Sequence, residues 1–283
     1  MIRRRPSLLA ILLAGLVPPA FAADPAPDPS RRLVLVELYT SQGCDMCPAA
    51  EEILGRLAEQ DSRVVPVAFH VDYFDKPWKD VFSDPIYSQR QMVYNDVYTK
   101  PKPESYGLYY TPMLMIDGVQ SVNGRDPAAA AAAIRAARLR APAVKLDVDL
   151  DLAADGLSAR SAIRVTRRSN RLGKSPILLC AVLREDGVKT DVESGENGGK
   201  TLVARFPARR IEHDDVELKD DLPVAREFTF AIDPSWDRDK LRLAVFAQDK
   251  RTAAVHQAVD LPWRSTTDSR AAAPEAKAAR PSR

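Results

Sequence analysis

The apolar residues of this chain change their period once, at Ala141-Pro142-Ala143, and that change separates two kinds of folding unit. Before it, Leu33, Val34, Leu35, Val36 and Leu38 form a nearly unbroken apolar run, the pattern of a strand buried on both faces as in an α/β sheet. Beyond it, Val144, Leu146, Val148, Leu150 and Leu152 alternate strictly, the pattern of a strand with one face in a core. A chain of 283 residues is long for one average domain and long enough for two with cores of their own, which is the expectation here. With 45% hydrophobic and 28% charged residues it is not collagen-like, a coiled coil or disordered throughout.

Residues 31–140 alternate between strand and helix signals. After the apolar run, Thr40-Ser41-Gln42-Gly43 turns into Cys44, and from Cys47 onward Ala50, Ile53, Leu54, Leu57 and Ala58 recur at helical spacing, with Pro48 where a first turn tolerates it. Val64 to Phe69 is a second buried strand ending at His70, and Asp72 to Tyr110 reads as a helical insertion. Met113–Ile116 and Val119–Val122 flank Asp117-Gly118, a hairpin signal, and Asp126 caps an Ala-rich helix reaching about Arg140. Over residues 144–262 further strands are expected at Ser158–Val165, Ile177–Leu183, Thr201–Phe206, Glu227–Ile232, Leu241–Gln248 and Ala254–Leu261, which together argue for an all-β, sandwich-like domain. Residues 264–283 carry no period and read as a disordered tail.

Three arginines (Arg3, Arg4, Arg5), an apolar run from Leu8 to Val17 and the small-x-small triplet Ala20-Phe21-Ala22 read as a signal peptide over residues 1–22. The run is about ten residues long, short of the roughly 17 to 25 that span a bilayer. Arg4-Arg5 leaves open whether export follows the general or the twin-arginine route. Pro25, Pro27 and Pro29 make residues 23–30 an extended leader. Without the signal's arginines the chain has 38 basic against 39 acidic residues, so nothing electrostatic favours a nucleic-acid partner. A periplasmic or secreted protein with no membrane span after cleavage is expected, in a compartment where disulfides persist.

Of three cysteines, Cys44 and Cys47 stand three positions apart at a helix start. Such a pair can close a disulfide, and the helix dipole with its free N–H groups favours the thiolate of the first cysteine. Cys44 would attack and Cys47 resolve, with Asp45 opposing a very low Cys44 pKa. A structural disulfide, or half a metal site, uses the same spacing. His70, Asp72, Tyr73 and Asp75 follow the second strand, at the strand end where open α/β sheets bind ligands, and His70 is placed to shuttle a proton. Cys180 reads as a buried small hydrophobe, and His213 and His256 have no ligand-spaced partner. P-loop, dinucleotide and serine-elbow signatures are absent, and no cofactor is expected.

The strand Val34–Leu38, the motif Cys44-Asp45-Met46-Cys47 opening a helix, and Tyr110-Thr111-Pro112-Met113 before a hairpin strand together resemble the thioredoxin superfamily. More narrowly, Glu37–Cys44, His70–Asp75 with Trp78-Lys79-Asp80, and Gly195–Leu202 look like a family of exported bacterial thioredoxin-like proteins of unassigned function. The resemblance implies a thioredoxin-like α/β domain, with Pro112 the cis-proline, Thr111 the residue whose backbone meets substrate, and Glu37 the buried acid that helps deprotonate the resolving cysteine. The function expected is an exported thiol-disulfide oxidoreductase using Cys44 and Cys47 on protein thiols or disulfides, served by an envelope redox partner. The alternatives are a copper-handling protein with Cys44, Cys47 and His70 as ligands of a soft cation, and a non-catalytic binding module.

Overall fold

A computed structural model describes residues 32–97, 109–169, 172, 175–219 and 222–264. The expected signal peptide, the leader and the tail beyond Arg264 lie outside the described residues. The first apolar run forms β1 (Val34–Thr40), followed by α1 (Cys47–Gln60) and β2 (Val64–His70). The insertion contains a 3-10 turn at Asp72–Phe74 and helix α2 (Pro85–Val97), with residues 98–108 again outside the described residues. The hairpin is β3 (Met113–Ile116) and β4 (Gln120–Asn123), turning through Asp117 and Gly118 at φ +48° and +68°. Helix α3 (Pro127–Arg138) is capped by Asp126, whose carboxylate accepts from Ala129 N at 2.9 Å. The N-terminal sheet runs β2-β1-β3-β4, with β1 parallel to β2 and antiparallel to β3.

The second half contributes β5 (Val144–Leu152), β6 (Ser158–Arg167), β7 (Ile177–Glu185), β8 (Val188–Asp191), β9 (Thr201–Ala204), β10 (Ala208–Val216), β11 (Val224–Ala231), β12 (Leu241–Asp249) and β13 (Val255–Pro262). They form a central sheet β10-β7-β12-β13, an outer sheet β11-β6-β5 and a separate hairpin β8-β9. Two of these strands, β8 and β10, were not expected. β10 is an edge strand of sequence ARRIEHDDV whose side chains are mostly exposed, so no apolar alternation announces it.

The layers stack through three cores. Helices α1 and α3 cover one face of the N-terminal sheet with Val34, Val36, Leu38, Ala50, Leu54 and Ile134. The opposite face, with Leu35, Tyr39, Val67, Phe69 and Met113, packs with Tyr87 and Tyr94 of α2 directly onto Cys180, Val182, Ala244 and Phe246 of the central sheet. The central sheet's other face meets the outer sheet through Leu179, Leu183, Leu243, Val245, Ile163 and Phe230. The break at residues 141–143 therefore divides the chain but not the core. Two backbone bonds stitch the halves further: Ala68 N donates to Phe206 O at 2.8 Å and Val255 N to Asp117 O at 2.9 Å. No helix among the described residues is long and apolar enough to cross a membrane.

Candidate functional site

Cys44 and Cys47 lie in the turn between β1 and the first residue of α1, both as thiols and both only 1% exposed. A loop this deep needs partners for its backbone groups. Gln42 N donates to Asp80 Oδ2 at 2.7 Å, Gly43 N to Ser41 Oγ at 3.0 Å, and Cys44 N to Ser41 O at 3.2 Å. Asp45 N donates to Glu196 Oε2, and the Asn197 amide donates to both Gln42 O and Cys44 O, all at 2.9 Å. Glu196 and Asn197 belong to the turn joining β8 to β9, so the second half of the chain completes the dithiol loop.

The two thiols are unlike. The Cys47 thiol, donating to the Cys44 sulfur, lowers the Cys44 pKa to about 7 against the opposing effect of burial, with help from the Thr111 hydroxyl and the N–H groups of Met46 and Cys47. Burial and the neighbouring Cys44 push the Cys47 thiol far up. One oxygen of Asp45 and one of Glu196 lie within 4.8 Å of the Cys44 sulfur, so the thiolate forms beside two carboxyl groups. The Thr111–Pro112 bond is cis. Pro112 is braced from behind by Gly124, where an added Cβ would stand 2.9 Å from the Pro112 ring.

Beneath Cys47 is a cavity of about 10 Å³, room for about one water, lined by Thr40, Gln42, Cys47, Glu51, His70 and Leu202 among others. Glu51 is one helical turn after Cys47 on the same buried face. Its Oε1 faces His70 Nε2 at 3.5 Å, and neither atom makes a hydrogen bond of good geometry. Its Oε2 accepts from Arg205 N at 3.0 Å. His70 is fixed by Asp80, whose Oδ2 meets Nδ1 at 2.7 Å. Burial alone would lower the His70 pKa, but Asp80 and Glu51 outweigh it and raise the value to about 9. Asp80, burial notwithstanding, is held below its ordinary value by His70 and by the N–H groups of Gln42 and Phe82.

Several expected site residues are placed differently. Glu37 does not approach Cys47. In β1 the side chains alternate, so Leu35, Glu37 and Tyr39 face the central sheet while Val34, Val36 and Leu38 face α1. Glu37 accepts from Arg90 Nε at 2.7 Å and from the hydroxyls of Tyr39 and Tyr94, an ion pair inside the sheet-to-sheet core. Asp72 accepts from Ser88 Oγ and ties the 3-10 turn to α2 rather than to the dithiol. Among the described residues the side chains gathered within 4.8 Å at Cys44 are Asp45 and Glu196, while both His70 nitrogens face carboxyl groups, those of Glu51 and Asp80. Glu51, Asp80, Glu196 and Asn197 were missed. Glu51 had a local signal in its spacing of four from Cys47 on an amphipathic helix; Asp80, Glu196 and Asn197 fell in segments quoted for the resemblance but were given no role, and their contacts with the dithiol loop span 38 to 155 residues of chain.

A family profile described as a protein of unknown function (DUF1223) matches residues 35–248. The crystal structure of an Agrobacterium tumefaciens protein from a structural genomics programme superposes with a TM-score of 0.61 at 22% identity, over 85% of this chain and 98% of that one. HBP35 of Porphyromonas gingivalis superposes with a TM-score of 0.62 at 15% identity, over 82% of this chain and 75% of its own. At these identities the likeness is one of fold. No curated protein matches the chain. These findings overturn the resemblance to the thioredoxin superfamily and to exported thioredoxin-like proteins. The matching family is DUF1223, and the profile and both structures extend well beyond residues 31–140 into the second half. The motifs that suggested the resemblance, a paired cysteine before a helix and a proline before a strand, occupy a small part of what matches.

Proposed function

This chain belongs to the DUF1223 family of proteins of unknown function, and from its dithiol we propose that it is a thiol-disulfide oxidoreductase acting on protein thiols or disulfides. The observation that carries the reading is the inequality of the two sulfurs. Cys44, with a pKa of about 7, is substantially thiolate near neutral pH, whereas Cys47 keeps its proton. In the reducing direction the Cys44 thiolate attacks one sulfur of a substrate disulfide. The substrate S–S bond breaks, a Cys44–substrate disulfide forms, and the departing sulfur leaves as a thiolate that takes a proton. Cys47 then loses its proton and attacks the Cys44 sulfur, releasing the second substrate thiol and leaving Cys44–Cys47 oxidised. Oxidation of a substrate dithiol is the same sequence reversed.

The Cys47 proton needs an acceptor, because burial makes its departure unfavourable. The Glu51 carboxyl, in the cavity shared with Cys47, supplies the acceptor, and the charged His70 imidazole that Asp80 orients faces its Oε1. A signal peptide over residues 1–22 would deliver the pair to a compartment where disulfides persist.

Equilibration with glutathione buffers, followed by thiol trapping, tests the reading. The wild-type pair should titrate as one two-electron couple, at a potential between roughly −270 and −120 mV. Cys47→Ala should accumulate a mixed disulfide on Cys44, and Cys44→Ala should lose exchange altogether. A native pair that stays out of equilibrium with glutathione across that range would show the dithiol to be structural.

A further inference from the structure

The turn joining β8 to β9 lies on the dithiol although it comes more than 140 residues later in the chain. Its form is set by its own bonds: Gly199 N donates to Val192 O at 2.7 Å, Val192 N to Lys200 O at 2.9 Å, and Gly198 N to Gly195 O at 3.1 Å. Gly199 holds φ +79°, where a side chain would be strained. Asn197 is fully buried at its tip. Its Oδ1 accepts from Lys200 Nζ at 2.9 Å, which orients the amide so that both N–H groups reach the carbonyls of Gln42 and Cys44. Glu196 beside it accepts from Asp45 N and brings an oxygen within 4.8 Å of the Cys44 sulfur.

We propose that residues 192–200 are a strap closing the dithiol, with Asn197 the positioning residue that holds it shut, so that a protein disulfide reaches Cys44 only when the strap is released. The inference deepens the oxidoreductase reading and rests on it for its purpose. Attack requires sulfur-to-sulfur contact, yet Cys44 is 1% exposed, so some element must move before a macromolecular substrate is met. The 3-10 turn at Asp72–Phe74, which reaches Gly43, is tied to α2 through Ser88 and Gln91, and the remaining walls are unsuited to moving. β1 and β2 are buried along their whole length in two cores, and α1 is packed against them. The β8-β9 hairpin stands outside the three larger sheets, and half of its strand residues are exposed. Segments with few buried contacts open at the smallest free-energy cost. Three hydrogen bonds from Glu196 and Asn197 tie the strap to the loop, and breaking them leaves the hairpin's own ladder intact.

The test is the alkylation rate of the reduced full chain, read cysteine by cysteine by mass spectrometry, which needs no exchange activity and so stands apart from the glutathione test. At pH 9, about two units above the Cys44 value, the thiolate is fully formed and changes of nearby charge have little effect on the rate. Asn197→Asp keeps the size and removes both donors; Cys44 should then react at least fivefold faster than in wild type, while Cys180, in the sheet-to-sheet core, stays unreactive. Glu196→Ala, at an exposed position that leaves folding intact, should raise the Cys44 rate about two- to threefold, and Glu196→Gln, which retains an acceptor for Asp45 N, should restore the wild-type rate. A folded Asn197→Asp with the wild-type Cys44 rate overturns the proposal. So does Cys180 becoming reactive in step with Cys44, which marks general loosening. If Asn197→Asp does not fold, equal rates for wild type and Glu196→Ala overturn it.

Discussion

Asp80 does two jobs with one oxygen, accepting from Gln42 N and holding His70 Nδ1, each at 2.7 Å. The imidazole is thereby kept charged in a place where burial alone would strip its proton. Its folded pKa of about 9 lies above the ordinary 6.5, so the stability it contributes is complete below pH 6.5 and is lost as pH rises through about 9. Asp80, held below its ordinary value of 3.8, contributes in the opposite sense: its share is present above that value and is lost as pH falls below it. Urea unfolding should therefore show wild type losing on the order of 3 kcal/mol between pH 6.5 and pH 10 through His70, a loss that His70→Gln does not share. Parallel stability curves for the two proteins across that range would show that the His70–Asp80 pair is not charged at neutral pH. Cys44, Cys47 and His70 drew attention by spacing and by a strand end, whereas Pro112 was singled out only through the resemblance that the family match overturned. Glu37 was legible as a buried acid but not by its face. One residue of strand register decides whether it meets α1 or the central sheet, and the run from Leu33 to Leu38 is apolar on both sides.

At the scale of elements, the same ambiguity recurs in β7 and β12. Their runs, Ile177–Glu185 and Leu241–Asp249, are apolar with almost no alternation and buried along nearly their full length. Strict alternation in β5 correctly signalled a sheet with one covered face, and most of the expected strands appear within a few residues of their expected ends. The unalternating runs carried a further message, that the central sheet is covered twice. Alternate residues of β12 divide between two cores, with Phe246 toward the N-terminal sheet and Val245 toward the outer one. Phe246 also lies under the Arg90 guanidinium, 4.9 Å from ring centroid to Cζ. Phe246→Ala should accordingly lower the unfolding free energy by about 3–5 kcal/mol in urea titrations, the cost of a large core truncation. A loss below about 1 kcal/mol would mean that this face of the central sheet is not under load, as in a plain two-layer sandwich.

The whole molecule is a stack in which each sheet depends on the next. Residues 32–140 have a complete α/β topology, and by length alone could form a domain. Yet Leu35, Tyr39, Val65, Val67, Phe69, Met113 and Met115 are buried against side chains of the central sheet or of α2. Detaching the second half would expose that face, an apolar patch far larger than scattered surface residues make. It would also remove Asn197 and Glu196 from the dithiol loop and Arg205 N from Glu51, leaving the Gln42 carbonyl and the buried Glu51 carboxyl without donors and the Cys44 carbonyl with Cys47 N alone. A fragment of residues 32–140 should therefore fail to unfold cooperatively, showing a weak near-ultraviolet circular dichroism signal and binding of apolar dyes, whereas the chain through residue 264 melts as one unit. A sharp, reversible transition in the fragment would establish the α/β half as an independent domain and make the second half an attachment. The second half holds the dithiol loop through Glu196 and Asn197, lines the Cys47 cavity with Leu202, Val203 and Ala204, and donates to Glu51, so the surroundings of the two cysteines are built by both halves and are complete only when they are packed together.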